Sequence, residues 1–114
     1  MPEISRFYGI VIRMSFADHA PPHFHAEYAE HEARIAIETL GVLSGQLPPR
    51  ALGLVAEWAT IHQDELHSVW ERARKFEPLG KIAPLPQQGQ RHNLRLAAVA
   101  PAAIMRPPRL KRKR

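Results

Sequence analysis

Two predicted strands meet in residues 23–38, which read HFHAEYAEHEARIAIE. Side chains alternate across a strand, so His23, His25 and Glu27 share one face of the first strand, and the apolar side chains between them share the other. The second predicted strand, at residues 32–38, alternates in the same way. The stretch therefore predicts a β-hairpin with one apolar face that packs on a core and one polar face that carries two histidines.

The predicted hairpin register follows from keeping these two sets of side chains apart. A turn through Ala29 to Glu32, with Tyr28 opposite Ala33, places the charged and histidine side chains on one face and the apolar and aromatic ones on the other. A slip of one residue would mix the two sets. The predicted cross-strand pairs on the polar face are Glu27 with Arg34, His25 with Ala36, and His23 with Glu38.

The rest of the domain is predicted to contain further strands and one helix. Alternating side chains predict a strand at Gly9–Phe16, and a turn at Gly41 is expected to lead into a short strand at Val42–Leu47. Apolar side chains at three- and four-residue spacing predict one long helix from about Arg50 to Lys75. Lys81–Leu85 is expected to pack back as an extended segment. We therefore predict an α+β fold: a small, mainly antiparallel sheet of three to four strands with one long helix packed on one face.

Charge divides the 114-residue chain into two parts of different character. Residues 1–85 carry eight basic and eleven acidic residues, which gives a net charge of −3, whereas residues 86–114 carry eight basic residues and no acidic one. We predict a single domain at residues 1–85 and a basic C-terminal extension at residues 86–114 whose composition favours disorder. Because basic segments attract nucleic acid, this extension is a candidate RNA- or DNA-binding segment.

Composition also narrows the location and the chemistry. The chain has no cysteine, so neither disulfides nor thiolate chemistry contribute. No apolar run approaches the ~20 residues of a membrane span, and the N-terminus lacks the basic region and apolar stretch of a signal peptide. We therefore expect a cytoplasmic protein with no membrane partner.

The histidine pair is a candidate site for a divalent metal ion. Residues two apart on a strand have Cβ atoms roughly 6.6 Å apart, so the ring nitrogens of His23 and His25 can converge on one ion. Glu27 or Glu38 is a candidate oxygen ligand. Asp18 is expected either to cap the turn before the strand or to support one histidine by a hydrogen bond from behind.

The same residues also fit acid–base chemistry without a metal. One of His23 and His25 would act as base and the other as acid on a phosphodiester, while Arg34 or Arg13 stabilises the developing negative charge. His19 lies in the neighbouring turn, and the sequence leaves its role open. A simpler interpretation also stays open, in which these are surface histidines that bind metal weakly and without function.

Three stretches of the chain carry a family resemblance. They are MPEISRFYGI at residues 1–10, DHAPPHFHA at residues 18–26, and a helix segment that runs from Arg50-Ala51-Leu52 through Glu57-Trp58 to Trp70. Together they resemble a bacterial family of small proteins, the domain of unknown function 4160 family. The resemblance covers residues 1 to about 85 and carries over only the motif itself, which is Asp18, Pro21, Pro22, His23 and His25.

The resemblance implies an arrangement with a neighbouring protein, and it does not imply a specific reaction. Members of this family often lie beside a second small domain of unknown function, 2442, in an arrangement that resembles a toxin–antitoxin module. It therefore implies a cognate small protein as partner and an RNA-directed or translation-linked role. Whether the chain is the toxin or the antitoxin stays open.

Three functions remain after these observations. The first is an RNA-directed toxin whose catalytic residues are His23, His25, Glu27 and Arg34. The second is a non-enzymatic binding module, an antitoxin or regulator, that docks a cognate protein through the histidine face. The third is a metal-binding protein or metal-dependent hydrolase. The acidic balance of residues 1–85 counts against the first, because phosphate binding usually needs a basic surface.

Overall fold

The computed structural model describes residues 1–86, which form an α+β fold with a five-stranded antiparallel sheet and two helices. The strands lie in sheet order from β1 to β5, so each pairs with its neighbour in sequence. The α+β class and the antiparallel sheet are confirmed, but the predicted three to four strands and single helix are wrong. The elements are β1 Glu3–Phe7, β2 Ile10–Arg13, β3 His23–Tyr28, β4 His31–Ala36, β5 Val42–Gln46, α1 Pro49–Ile61 and α2 Gln63–Arg74.

Strand β1 is the element that the sequence pattern missed. A register shift between Glu3 and Ser5 lets the consecutive residues Ile4 and Ser5 both be buried, which breaks the period of two that marks a strand. The predicted extended segment Lys81–Leu85 packs beside this strand, where the Ile82 N–H donates to the Ile4 carbonyl at 2.8 Å. The segment therefore covers the β1 edge of the sheet.

A break at His62 divides the predicted long helix into α1 and α2. The backbone of His62 (φ −111°, ψ 25°) lies outside the helical region. Helical hydrogen bonds continue on both sides, from His62 N–H to the Trp58 carbonyl at 3.1 Å and from Leu66 N–H to the His62 carbonyl at 2.9 Å. The three- and four-residue spacing of the apolar side chains therefore continues across the break. For this reason the apolar pattern alone predicts one helix.

The β3–β4 hairpin is tighter than predicted. Its turn contains only Ala29 and Glu30, and Ala29 takes up the left-handed backbone conformation (φ 54°) without the glycine or asparagine that usually marks such a turn. The predicted pairs are wrong, because each partner is displaced by two residues. The observed pairs are Glu27 with Glu32, His25 with Arg34, and His23 with Ala36. A displacement of two keeps every side chain on its predicted face.

Trp58 of α1 lies at the centre of the contact between the helices and the apolar face of the sheet. It is fully buried, and its ring lies 5.4 Å from Phe7 and 5.8 Å from Phe24 between centroids. Its indole N–H donates to the Ala83 carbonyl at 2.8 Å. The tryptophan thus joins the helix, the sheet and the C-terminal extended segment, which fixes β3 in place.

Two predicted strands are shorter in the structure. Strand β2 ends at Arg13, because the chain turns at Ala17 in the left-handed conformation (φ 51°). Phe16 is consequently 40% exposed and stacks on Phe76 with 6.0 Å between ring centroids, instead of lying on the buried face. Strand β5 ends at Gln46, just before the two prolines that start α1.

Most of the predicted basic extension, from residue 87 onward, lies outside the described residues. Within residues 1–86, no helix is long and apolar enough to cross a membrane. Among the described residues, the candidate site is positioned by the sheet, by α2 and by the loop between β2 and β3.

We predict that Gly45 is more costly to replace than Gly80. The two glycines have nearly the same φ, +74° and +73°, but a Cβ at position 45 would lie 2.2 Å from the Glu32 carbonyl oxygen, whereas one at position 80 meets nothing within 4 Å. Gly80→Ala should lower the free energy of unfolding by about 1 kcal/mol, the cost of the left-handed conformation. Gly45→Ala should cost about 3 kcal/mol, since backbone must also move. Urea unfolding measures both, and equal losses would contradict the close contact.

Candidate functional site

Three side chains of the histidine box converge where β3 begins. One nitrogen from His23, one from His25 and a carboxylate oxygen of Asp18 all lie within 4.8 Å of one another. The histidines come from β3, and Asp18 comes from the loop between β2 and β3. Strand alternation brings the two rings to one face, and the loop folds back so that the carboxylate reaches both.

His23 has both ring nitrogens engaged. The residue is 2% exposed, and its ring lies 5.4 Å from that of Trp70 in α2. Nδ1 lies 2.8 Å from the Pro21 carbonyl oxygen. Because a carbonyl oxygen only accepts, Nδ1 must carry the hydrogen and donate it. Nε2 is thereby directed at Asp18 Oδ2, at 3.0 Å.

His25 has the same orientation but one nitrogen without a partner. The residue is 9% exposed, and its Nδ1 lies 3.3 Å from Glu32 Oε2, a carboxylate oxygen that accepts. Its Nε2 is buried and has no hydrogen-bond partner among the described residues. That atom lies 3.7 Å from Asp18 Oδ2. A buried ring nitrogen left unpaired is uncommon, because desolvation without a hydrogen bond costs about 1–3 kcal/mol.

Asp18 is ionised and partly accessible. Burial raises the pKa of its carboxyl group, but the His19 N–H and the neighbouring His23 and His25 side chains together lower it by more, so the pKa lies below its usual value. The His19 N–H donates to Oδ1 at 2.8 Å, which leaves Oδ2 for the two histidines. The side chain is 23% exposed, so solvent reaches this side of the cluster.

The other sequence-predicted residues lie with different partners. Glu27 pairs with Arg13 at 3.2 Å, and Glu38 lies 3.6 Å from His67. Arg34 donates through Nε to Ser44 Oγ at 2.8 Å. His19 contributes its backbone N–H to Asp18. The structure thus places Asp18, and neither Glu27 nor Glu38, beside both histidines.

Two neighbours of the histidines escaped the sequence analysis. Glu32 was assigned to the turn or strand start without a role, and only the tight turn at Ala29 and Glu30 brings its carboxylate to His25. Trp70 enters the sequence analysis only as part of the predicted helix, and its ring lies beside that of His23. Both contacts depend on turn length and on the packing of α2, which the alternation of a strand does not specify.

The family of the chain can now be stated. The family model described as domain of unknown function, DUF4160, matches residues 9–71, more than half of the chain. The chain belongs to the DUF4160 family. The resemblance drawn from the sequence is confirmed, and the matched residues contain the whole Asp18–His23–His25 cluster. No curated protein and no solved structure matches this DUF4160 protein.

We predict that His23 supports the fold as well as the cluster. In chelator-treated protein, His23→Ala should lower the free energy of unfolding by about 2–4 kcal/mol, because it leaves a cavity against Trp70 and removes the partner of Asp18. His67→Ala is the matched control, since the His67 side chain is 41% exposed. It should change stability by no more than about 0.5 kcal/mol. Urea unfolding curves that coincide for the two variants would show that His23 is not a packed residue.

Proposed function

We propose that this DUF4160 protein binds one divalent transition-metal ion, with zinc favoured, through Asp18 Oδ2, His23 Nε2 and His25 Nε2. The observation that carries this proposal is the His25 Nε2 atom, which is buried, unpartnered among the described residues and 3.7 Å from Asp18 Oδ2. A lone pair in that position is explained by a cation that it binds.

The spacing of the ligand atoms supports a tetrahedral ion. Zinc with bonds of about 2.0–2.1 Å requires its ligand atoms to lie about 3.3 Å apart. The distances from Asp18 Oδ2 are 3.0 Å to His23 Nε2 and 3.7 Å to His25 Nε2, which lie on either side of that value. These two distances need to change by only a few tenths of an ångström for a shared ion, and the two histidine nitrogens lie within 4.8 Å of each other.

The hydrogen-bond acceptors that contact the Nδ1 atoms of the two histidines support the same proposal. A metal-binding histidine usually donates its other ring N–H to a backbone carbonyl or a carboxylate, which fixes the tautomer and the ring orientation. His23 does so to the Pro21 carbonyl, and His25 does so to the Glu32 carboxylate. Both rings are thus fixed with Nδ1 donating and Nε2 directed towards Asp18.

The contact between His23 and Asp18 itself calls for a positive charge. With Nδ1 donating to Pro21, a neutral His23 presents a lone pair at Nε2 to an ionised carboxylate, and two acceptors repel each other. Either a proton or a metal ion must lie between these atoms. A proton satisfies His23 and Asp18 but leaves His25 Nε2 unpaired, whereas a metal ion satisfies all three.

The three ligand atoms indicate which metal ion the site would bind and which kind of chemistry it would support. Two imidazole nitrogens and one carboxylate suit zinc or a similar transition metal better than magnesium or calcium, which prefer oxygen ligands. Three protein ligands would leave a coordination position open, as in catalytic zinc sites, and the Asp18 side chain, which is 23% exposed, lies on the solvent-accessible side of the cluster. We therefore propose a metal-dependent hydrolase, in which the ion would supply Lewis-acid activation.

Metal-free acid–base catalysis is less well supported by the geometry. His23 has no ring nitrogen left for a substrate, and His25 presents a buried one. The same burial disfavours the histidine face as a docking surface, because His23 and His25 are only 2% and 9% exposed. The cognate protein partner and the toxin–antitoxin role that the family resemblance implies stay predictions, and a metal-dependent toxin is compatible with both.

We predict that the full chain binds one zinc ion and unfolds at a higher temperature when loaded, because the ion binds only the folded state. Asp18→Ala, in a partly exposed loop position, should weaken zinc binding by about 100-fold or more, and His25→Ala should do the same. His67→Ala is the matched control and should bind zinc like the wild type. Calorimetric titration and zinc content after desalting measure the effect.

Two outcomes would contradict the metal site. If Asp18→Ala binds zinc as tightly as the wild type, the ion lies elsewhere on the chain. If the wild type takes up no zinc, cobalt or manganese at micromolar concentration, then Asp18 and His23 form a structural pair that shares a proton.

A further inference from the structure

A shallow pocket shares one lining residue, His25, with the proposed metal site. It has a volume of about 250 Å³ and is lined by His25, Glu32, Ala33, Arg34, Ser44 and Gly45. The register explains this lining, since His25 pairs with Arg34 across β3 and β4, and Arg34 pairs with Ser44 across β4 and β5. The three side chains therefore form one row on the sheet face opposite α1, with His25 common to the pocket and to the proposed metal site.

Arg34 is the charged group of this row that lacks an ionic partner. Arg13, on the other side of His25, pairs with Glu27 at 3.2 Å. Glu32 is engaged with His25 at 3.3 Å. Arg34 donates only through Nε, to the neutral Ser44 hydroxyl, so its two terminal nitrogens have no partner among the described residues. A guanidinium fixed through Nε presents these nitrogens as a ready donor pair for an oxyanion.

Ser44 adds a second donor to the same pocket. Its Oγ accepts from Arg34 Nε at 2.8 Å, so its own hydroxyl hydrogen remains to be donated. The register of β4 and β5 shifts between Arg34 and Ile35, and Gly45 follows in the left-handed conformation (φ +74°), with its backbone against that of Glu32. This irregular part of β5 holds Ser44 beside the guanidinium, and a larger residue at position 45 would displace it.

We propose that the Arg34–Ser44 pocket binds the phosphate group of a phosphate-ester substrate of the metal site. The inference rests on the proposed metal-dependent function and names its substrate class. A phosphate group carries more acceptor oxygens and more negative charge than a carboxylate, so a guanidinium and a hydroxyl together favour it. A divalent ion and the unpaired Arg34 together outweigh the negative charges of Asp18 and of Glu32, which lines the same pocket, so the loaded site attracts an anion.

The test is a calorimetric titration of the zinc-loaded full chain with inorganic phosphate. Arg34→Gln should bind phosphate about tenfold more weakly than the wild type, the loss expected for one charge-assisted hydrogen-bonding group at an exposed site. Arg74→Gln is the matched control, because it removes another exposed arginine, on α2 and outside the pocket. The basic extension at residues 86–114 is the same in the wild type and in both variants. A difference in phosphate affinity between these proteins is therefore not caused by the extension.

Zinc content separates this inference from the proposal on which it rests. Wild type and both variants should carry one zinc ion each, so that weaker phosphate binding by Arg34→Gln identifies the pocket. Phosphate affinities that are equal in wild type and Arg34→Gln would overturn the proposal, and so would acetate binding as tightly as phosphate. If the chains take up no zinc, the metal site fails, and the same comparison on zinc-free protein decides whether Arg34 binds phosphate.

Discussion

The alternation of side chains along β3 links the core of this protein to its candidate site. Phe24 and Ala26 lie on the sheet face that packs on α1 and are fully buried, and Phe24 contacts Trp58 of that helix. His23 and His25 must therefore lie on the opposite face, where the loop that carries Asp18 meets them. Because β3 is the central strand of the sheet, any slip that displaced the histidines would also expose the core. The packing that stabilises the fold thus also orients the cluster.

That constraint explains how a chain of this size holds two histidines in a defined arrangement. Each ring donates through Nδ1 to a fixed acceptor, the Pro21 carbonyl or the Glu32 carboxylate. Neither ring can flip without losing that hydrogen bond, so both Nε2 atoms stay directed towards Asp18. Preorganised ligands lose little conformational freedom on binding, which favours an ion even where solvent competes. The proposed phosphate pocket is preorganised in the same way, since the hydrogen bond from Arg34 Nε to Ser44 orients the guanidinium.

The fold class and the polar face were predictable from the sequence, whereas the register and the ligand set were not. The faces were predicted correctly because a register displaced by two residues preserves parity, even though every predicted cross-strand pair was wrong. The turn at Ala29 carries no glycine or asparagine to mark it, and β1 contains a register shift that hides its period. Asp18 was expected to cap a turn or to support a histidine from behind. Its approach to both rings depends on the fold of a proline-containing loop, which local patterns do not specify.

The most direct test of the account is the state of the imidazole nitrogens, measured by long-range proton–nitrogen NMR correlation on the full chain before and after zinc is added. The account predicts that Nδ1 of His23 and His25 keeps its hydrogen throughout and that both Nε2 resonances move to positions of metal-bound nitrogen. The other histidines should not change. Zinc that shifts exposed histidines such as His67 and leaves both Nε2 resonances unmoved would contradict the central claim.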